Sequence, residues 1–247
     1  STSRRQRQMC IRDRLLAALC MGAPVLRAQG LWTSAGMKFG LAKGLSGYVE
    51  GEFRTADGLD GTERWAASAG LDYKLWSWLK MSAGYTYIHK HVESRITKKG
   101  NIVSDYWQPR HRASFALTGS YSWNRFTFSL RERYQYTYRT EQTVPKRDGD
   151  DGSMKADELI EASRKHVLRS RLKAEYNIRK SGFIPFASCE LYNSLSGFAY
   201  EKTRWTVGTD YKFNKRHSVS VFYRYIDQSD DDDTNGHVIG VGYSFRL

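Results

Sequence analysis

The sequence predicts an all-β fold, a single antiparallel up-and-down transmembrane β-barrel of about 10–12 strands. Three observations carry this. Runs of about ten residues alternate large apolar with polar or tiny side chains from residue 31 to the end, the period of a strand whose two faces meet different surroundings. The connections alternate between tight turns and long polar loops, as in outer-membrane barrels. No apolar run of the ~20 residues needed by a membrane-crossing helix exists, although the mean hydropathy of −0.63 would by itself suggest a soluble chain.

The chain has 247 residues, 40% of them hydrophobic. Its first fourteen, STSRRQRQMCIRDR, resemble translated sequencing-adapter read-through. LLAALCMGAPVL then has the length of a signal-peptide core, with a cleavage site expected after Ala28. The predicted organisation is therefore residues 1–28 removed and residues 29–247 forming one barrel domain. Cys20 would suit a lipoprotein signal, but the preceding Leu19 is too large for one. Cleavage removes Arg4, Arg5, Arg7, Arg12, Arg14, Arg27 and Asp13, lowering the net charge from +13 to +8, and leaves Cys189 as the single cysteine. No disulfide framework is then possible. An exported basic chain points away from nucleic acid and towards anionic lipid and lipopolysaccharide.

The strands are expected in order. Segment 31–42 ends at the turn Lys43-Gly44, and 45–55 returns to the polar ADGLDG. Segment 63–75 leads into the tight stretch Trp76 to Trp78. Segment 79–91 sets Leu79, Met81, Ala83, Tyr85 and Tyr87 against Lys80, Ser82, Gly84 and Thr86, and KHVESRITKKGNIVS follows. Segments 107–121 and 125–140 flank a turn at Ser122 to Asn124; in the second, Phe126, Phe128, Leu130, Tyr134, Tyr136 and Tyr138 oppose Thr127, Ser129, Arg131, Arg133, Gln135 and Arg139. The longest loop, EQTVPKRDGDDGSMKADELIE, leads to 162–177, the turn Arg179 to Gly182, and 183–195. After SGFAY, 202–213 places Trp205, Val207, Tyr211 and Phe213 against Arg204, Thr206, Asp210 and Lys212. The turn Asn214 to Arg216, segment 217–228 and SDDDDTNG lead to 237–247, HVIGVGYSFRL.

Alternation cannot say which face is inside. Aromatics gather near strand ends, where interfacial girdles lie, and Gly36, Gly40, Gly70, Gly84, Gly208, Gly240 and Gly242 share the polar face, where a crowded lumen needs small residues. With the export signal these place the apolar face outwards. The last strand would then face lipid and serve the barrel-assembly machinery as its recognition signal, with Phe245 third from the end. Eleven segments conflict with the even count of bacterial barrels. They also start segment 31–42 outside the cell. Either a strand is split or missed, in 90–107 or 141–162, or the first segment does not span.

The runs YVEGEFRT, WQPRHRASFAL, LRERYQYTYR, FIPFASCELYNSL, TRWTVGTDYKF and HVIGVGYSF, in this order, resemble the family catalogued as domain of unknown function 2490. The resemblance implies an outer-membrane barrel of diderm bacteria and brings no activity, catalytic residue or cofactor.

With the apolar face outwards, Glu50, Glu52, Arg54, Arg64, Asp72, Arg110, Arg112, Arg131, Arg133, Arg169, Arg171, Lys173, Glu175, Glu190, Arg204, Asp210 and Arg224 line the lumen. Eight-stranded barrels are filled and sixteen-stranded ones hollow. Size therefore favours a plug of paired charges over the alternative, a narrow basic pore for anions. Parity turns His89, His91, His111, Glu132 and Ser170 outwards. Ser170, His111 and Glu132 are the residue types of a hydrolase acting on outer-leaflet lipid. Two features oppose this: His111 and Ser170 lie a strand apart, and a bulge turning Glu132 inwards would account for the stray carboxylate. His89 and His91 make only half a metal site, and Asp230 to Asp233 lacks the spacing of a calcium loop. The expectation is a non-enzymatic monomer without metal or cofactor, with the 141–161 loop as a surface for an envelope partner.

Overall fold

The computed structural model describes residues 30–56, 61–197, 199–228 and 236–247. The expected leader over 1–28 and the acidic run Asp230 to Asp233 lie outside them.

Among the described residues fifteen strands form and none is helical. Eleven close a barrel: β1 (Gly30–Ala42), β2 (Leu45–Ala56), β3 (Gly61–Lys74), β4 (Leu79–Val92), β7 (Tyr106–Trp123), β8 (Phe126–Arg139), β11 (Ser163–Tyr176), β12 (Phe183–Ser194), β13 (Tyr200–Lys212), β14 (His217–Gln228) and β15 (Gly236–Arg246). Each pairs antiparallel with its predecessor around the wall. The ring is sealed by a parallel seam between β1 and β15, in register from Gly30↔Val238 to Lys38↔Arg246. All eleven expected segments are barrel strands. Eleven falls within the expected range, and the parity conflict has a different resolution from those anticipated. No barrel strand was split or missed and the first segment is paired on both edges, because one parallel seam lets an odd number close.

Segments 93–105 and 140–162 supply no barrel strand. They build a separate four-stranded sheet beyond the long-loop rim, in the order β10 (Met154–Ile160), β9 (Gln142–Arg147), β6 (Ile102–Val103) and β5 (Arg95–Ile96). Val103 and Val144 are fully buried in it, and Arg95 and Lys146 share Glu158 at 2.6 and 3.9 Å. At its tip, Asp148 Oδ1 accepts the Asp150 N–H at 2.9 Å and Asp151 Oδ1 accepts the Ser153 N–H at 2.8 Å.

At the opposite rim the turns are short. Gly44 at φ +80° and Asn124 at φ +54° take up the left-handed backbone of tight hairpins. The outward face is mostly apolar, with Leu130, Leu172, Trp205 and Val207 each more than half exposed. Aromatics cluster at both ends of that face. Trp76 and Trp78 stack 5.7 Å apart near Tyr121 and Trp123 at the short-turn end; Trp65, Tyr87 and Trp107 pack with His89 at the other.

Candidate functional site

The site is the lumen, and strand parity builds it. Its principal cavity, about 520 Å³, is bounded by eleven arginines and three lysines against the four carboxylates Glu50, Glu52, Asp72 and Glu201. A second cavity of about 460 Å³ at the short-turn end, under Trp76 and Trp78, shares Asp72, Lys80 and Thr118 with the first. Between the two chambers, Asp72 is held by Lys38, by Lys80 at 3.4 Å and by the Ser82 hydroxyl at 2.6 Å.

Of the residues read from the sequence, Glu50, Glu52, Arg54, Arg64, Asp72, Arg110, Arg112, Arg131, Arg133, Arg169, Arg171, Arg204 and Arg224 bound the main cavity. Glu190 lies in the wall behind the arginines at 2% exposure, while Lys173 joins Glu175 (2.6 Å) and Asp210 (3.7 Å) nearer the short turns.

The carboxylates are shared out among the cations. Glu52 accepts hydrogen bonds from Arg64 at 2.7 Å and Arg54 at 3.0 Å. Glu190 accepts from Arg169 at 2.5 Å and Arg131 at 3.5 Å, and lies 3.8 Å from Arg171. Lys165 pairs with Glu201 at 3.1 Å. Other guanidiniums use neutral acceptors: Arg110 donates to Gln108 at 3.0 Å, Arg112 to Thr137 at 3.0 Å and Arg224 to Thr206 at 2.9 Å.

Sequence reasoning missed the inward aromatics. Trp32 lies under Arg54, whose guanidinium carbon is 3.3 Å from the ring centroid, with Arg224 at 4.8 Å and Arg204 at 5.2 Å. Tyr192 accepts from Arg204 at 2.6 Å and donates to Glu190 at 3.3 Å. Such stacking orients a guanidinium without neutralising it. Parity held the signal, since Trp32 shares its face of β1 with Ser34 and Lys38, and Tyr192 its face of β12 with Glu190. Tyr48 and Phe222 also point inwards, and they explain the lumenal glycines. A Cβ at Gly70 would lie 2.5 Å from the Tyr48 hydroxyl, and one at Gly240 would fall on the Phe222 ring.

The hydrolase constellation does not assemble. Ser170 Oγ donates to Glu132 Oε2 at 2.6 Å. His111, however, is opposite Tyr138, six positions along β8 from Glu132 and so about 20 Å away; its Nδ1 meets Tyr85 Oη at 2.6 Å. The bulge expected to turn Glu132 inwards is absent, because β8 keeps an unbroken register with β7 and β11 along its whole length. Glu132 is a carboxylate on the apolar outer face at mid-height. His91 meets Asp105 at 3.1 Å and His89 stacks on Trp107 at 5.0 Å. Among the described residues no three His, Cys, Asp or Glu side chains converge as a metal site would require.

The model of a family described as "Protein of unknown function (DUF2490)" matches residues 29–237. Among solved structures, a NanC porin in a rhombohedral crystal form is similar at a TM-score of 0.46 and 15% identity, over 87% of this chain and 99% of that one. Among curated proteins none matches.

Proposed function

The chain belongs to the DUF2490 family, whose description names no activity, and from its lumen we propose that it is an outer-membrane barrel that passes small anions. One observation carries this reading: a lumenal cavity of about 520 Å³ whose boundary holds eleven arginines and three lysines against four carboxylates. A plug of mutually paired charges would need near balance, since charges withdrawn from bulk water need partners. A surplus of one sign along a narrow bore concentrates the opposite ion and excludes its own. The second chamber, sharing Asp72, Lys80 and Thr118, extends the bore towards the short-turn rim. The apolar exterior would lie against lipid and lipopolysaccharide, and β15 would present the C-terminal segment to the assembly machinery. Among the described residues the outward Ser170–Glu132 pair has no histidine in reach to complete a hydrolase triad.

Planar bilayers test this. Under a KCl gradient the purified barrel should give steps whose reversal potential has the sign of chloride selectivity. Silence at every voltage, or potassium selectivity, would end the reading.

A further inference from the structure

Within the lumen, one wall gathers more positive charge than the fold can use. Arg131 and Arg133 on β8 stand directly opposite Arg171 and Arg169 on β11, so four guanidiniums form a two-by-two grid facing the cavity. Like charges directly opposite each other on paired strands destabilise a sheet. Repeating the arrangement at two successive levels calls for a compensating anion. Among the described residues, the carboxylate in ion-pair contact with the grid is Glu190, which reaches Arg131, Arg169 and Arg171. Arg133 makes no hydrogen bond or ion pair with any described residue. All four Nε atoms of the grid are buried and lack hydrogen-bond acceptors.

We propose that this grid is a binding station for a dianionic oxyanion, phosphate or the phosphate group of a small ester. With Glu190 subtracted, the four guanidiniums keep a surplus of three positive charges. A dianion with several oxygens can take the terminal N–H groups of two or three guanidiniums at once, the geometry in which guanidinium recognises phosphate. A halide offers one centre and no bidentate pairing. The ring of Tyr192 lies 5.0 Å from the Arg169 guanidinium and holds that side of the grid in place. The inference rests on the anion-passage reading only for the ligand's route; the station itself requires no current.

The test uses the full chain in detergent, titrated calorimetrically with sodium phosphate and with glucose 6-phosphate against sodium chloride at constant ionic strength. Saturable phosphate binding is expected. It should weaken about tenfold or more in Arg133→Gln and in Arg171→Gln, the loss of one charge-assisted hydrogen bond. Lys155→Gln, which removes the same charge from the outer sheet, should leave it unchanged. Heat-modifiable gel mobility identifies folded variants, and Arg133→Lys should bind with intermediate strength. Stronger binding of the ester assigns the station to phosphorylated solutes, and equal binding to free phosphate. Phosphate heats no different from chloride, or binding untouched by Arg133→Gln in folded protein, would overturn the proposal. Binding without conductance would remove the channel reading and keep the station; conductance without phosphate binding would do the reverse.

Discussion

Glu132 offers a signed test of which face meets hydrocarbon. It points outwards midway along β8, accepts one 2.6 Å hydrogen bond from Ser170, and no cation among the described residues pairs with it. If its surroundings are lipid, Ser170→Ala strands a carboxyl group without a donor and should destabilise the barrel by about 1–3 kcal/mol. Replacing both groups reverses the sign. Basic residues on the lipid face at the midplane cost about 2–4 kcal/mol and acidic ones less, so Glu132→Leu with Ser170→Ala should stabilise by about 1–2 kcal/mol. Glu132→Leu alone should fall between, because it leaves the Ser170 hydroxyl unpaired. Equilibrium denaturant unfolding in phosphatidylcholine vesicles, followed by tryptophan fluorescence, measures all three. A destabilised double variant, or a neutral Ser170→Ala, would refute the assignment of this face to lipid.

The closing seam makes a covalent prediction. With Cys10, Cys20 and Cys189 replaced, cysteines at Ala35 and Tyr243 should bridge on oxidation, because these residues are partners in the parallel register. Failure there, while the antiparallel control Val219/Tyr243 bridges, would contradict the odd-stranded closure. Gly240→Val should cost about 1–3 kcal/mol by overpacking against Phe222, and Phe222→Ala should recover most of it; a tolerated valine would mean that the ring lies elsewhere. In the outer sheet, the backbone N–H of Asp150 and the Lys155 ammonium hold the Asp148 carboxyl below its ordinary pKa, and the N–H of Ser153 does the same for Asp151. A lowered carboxylate pKa stabilises the turn above the ordinary aspartate value, and that contribution disappears as pH falls through the folded value. The Asp150 and Ser153 amide resonances should therefore hold from neutral pH to the ordinary aspartate range and move below it; a change near neutrality would contradict the hydrogen bonds.

The strands were legible because period-two patterning is local, and β4, β8 and β13 each declare both faces within their own residues. The closure was not, since nothing in β1 or β15 alone records that they run parallel. That property belongs to the count of strands around the ring. The outer sheet was read as loop because β5 and β6 are two residues long and depend on β9 for pairing. In the site, the charged residues were visible by parity, but their partners were not. Which arginines share Glu190, and that Arg133 shares nothing, depends on the register of β8, β11 and β12. Trp32 was overlooked because an aromatic beside a strand end reads as girdle, whereas here its neighbours in space are three guanidiniums from β2, β13 and β14.

The orientation of the two faces underlies every role assigned, and spin labels walked along β8 from residue 127 to 131 measure it directly in vesicles. Labels at Phe128 and Leu130 should collide freely with oxygen dissolved in the bilayer, and those at Thr127, Ser129 and Arg131 should favour a water-soluble relaxant, giving a clean alternation of period two. The same alternation with its phase reversed, or labels at Phe128 and Leu130 shielded from both reagents in a dry interior, would contradict the account.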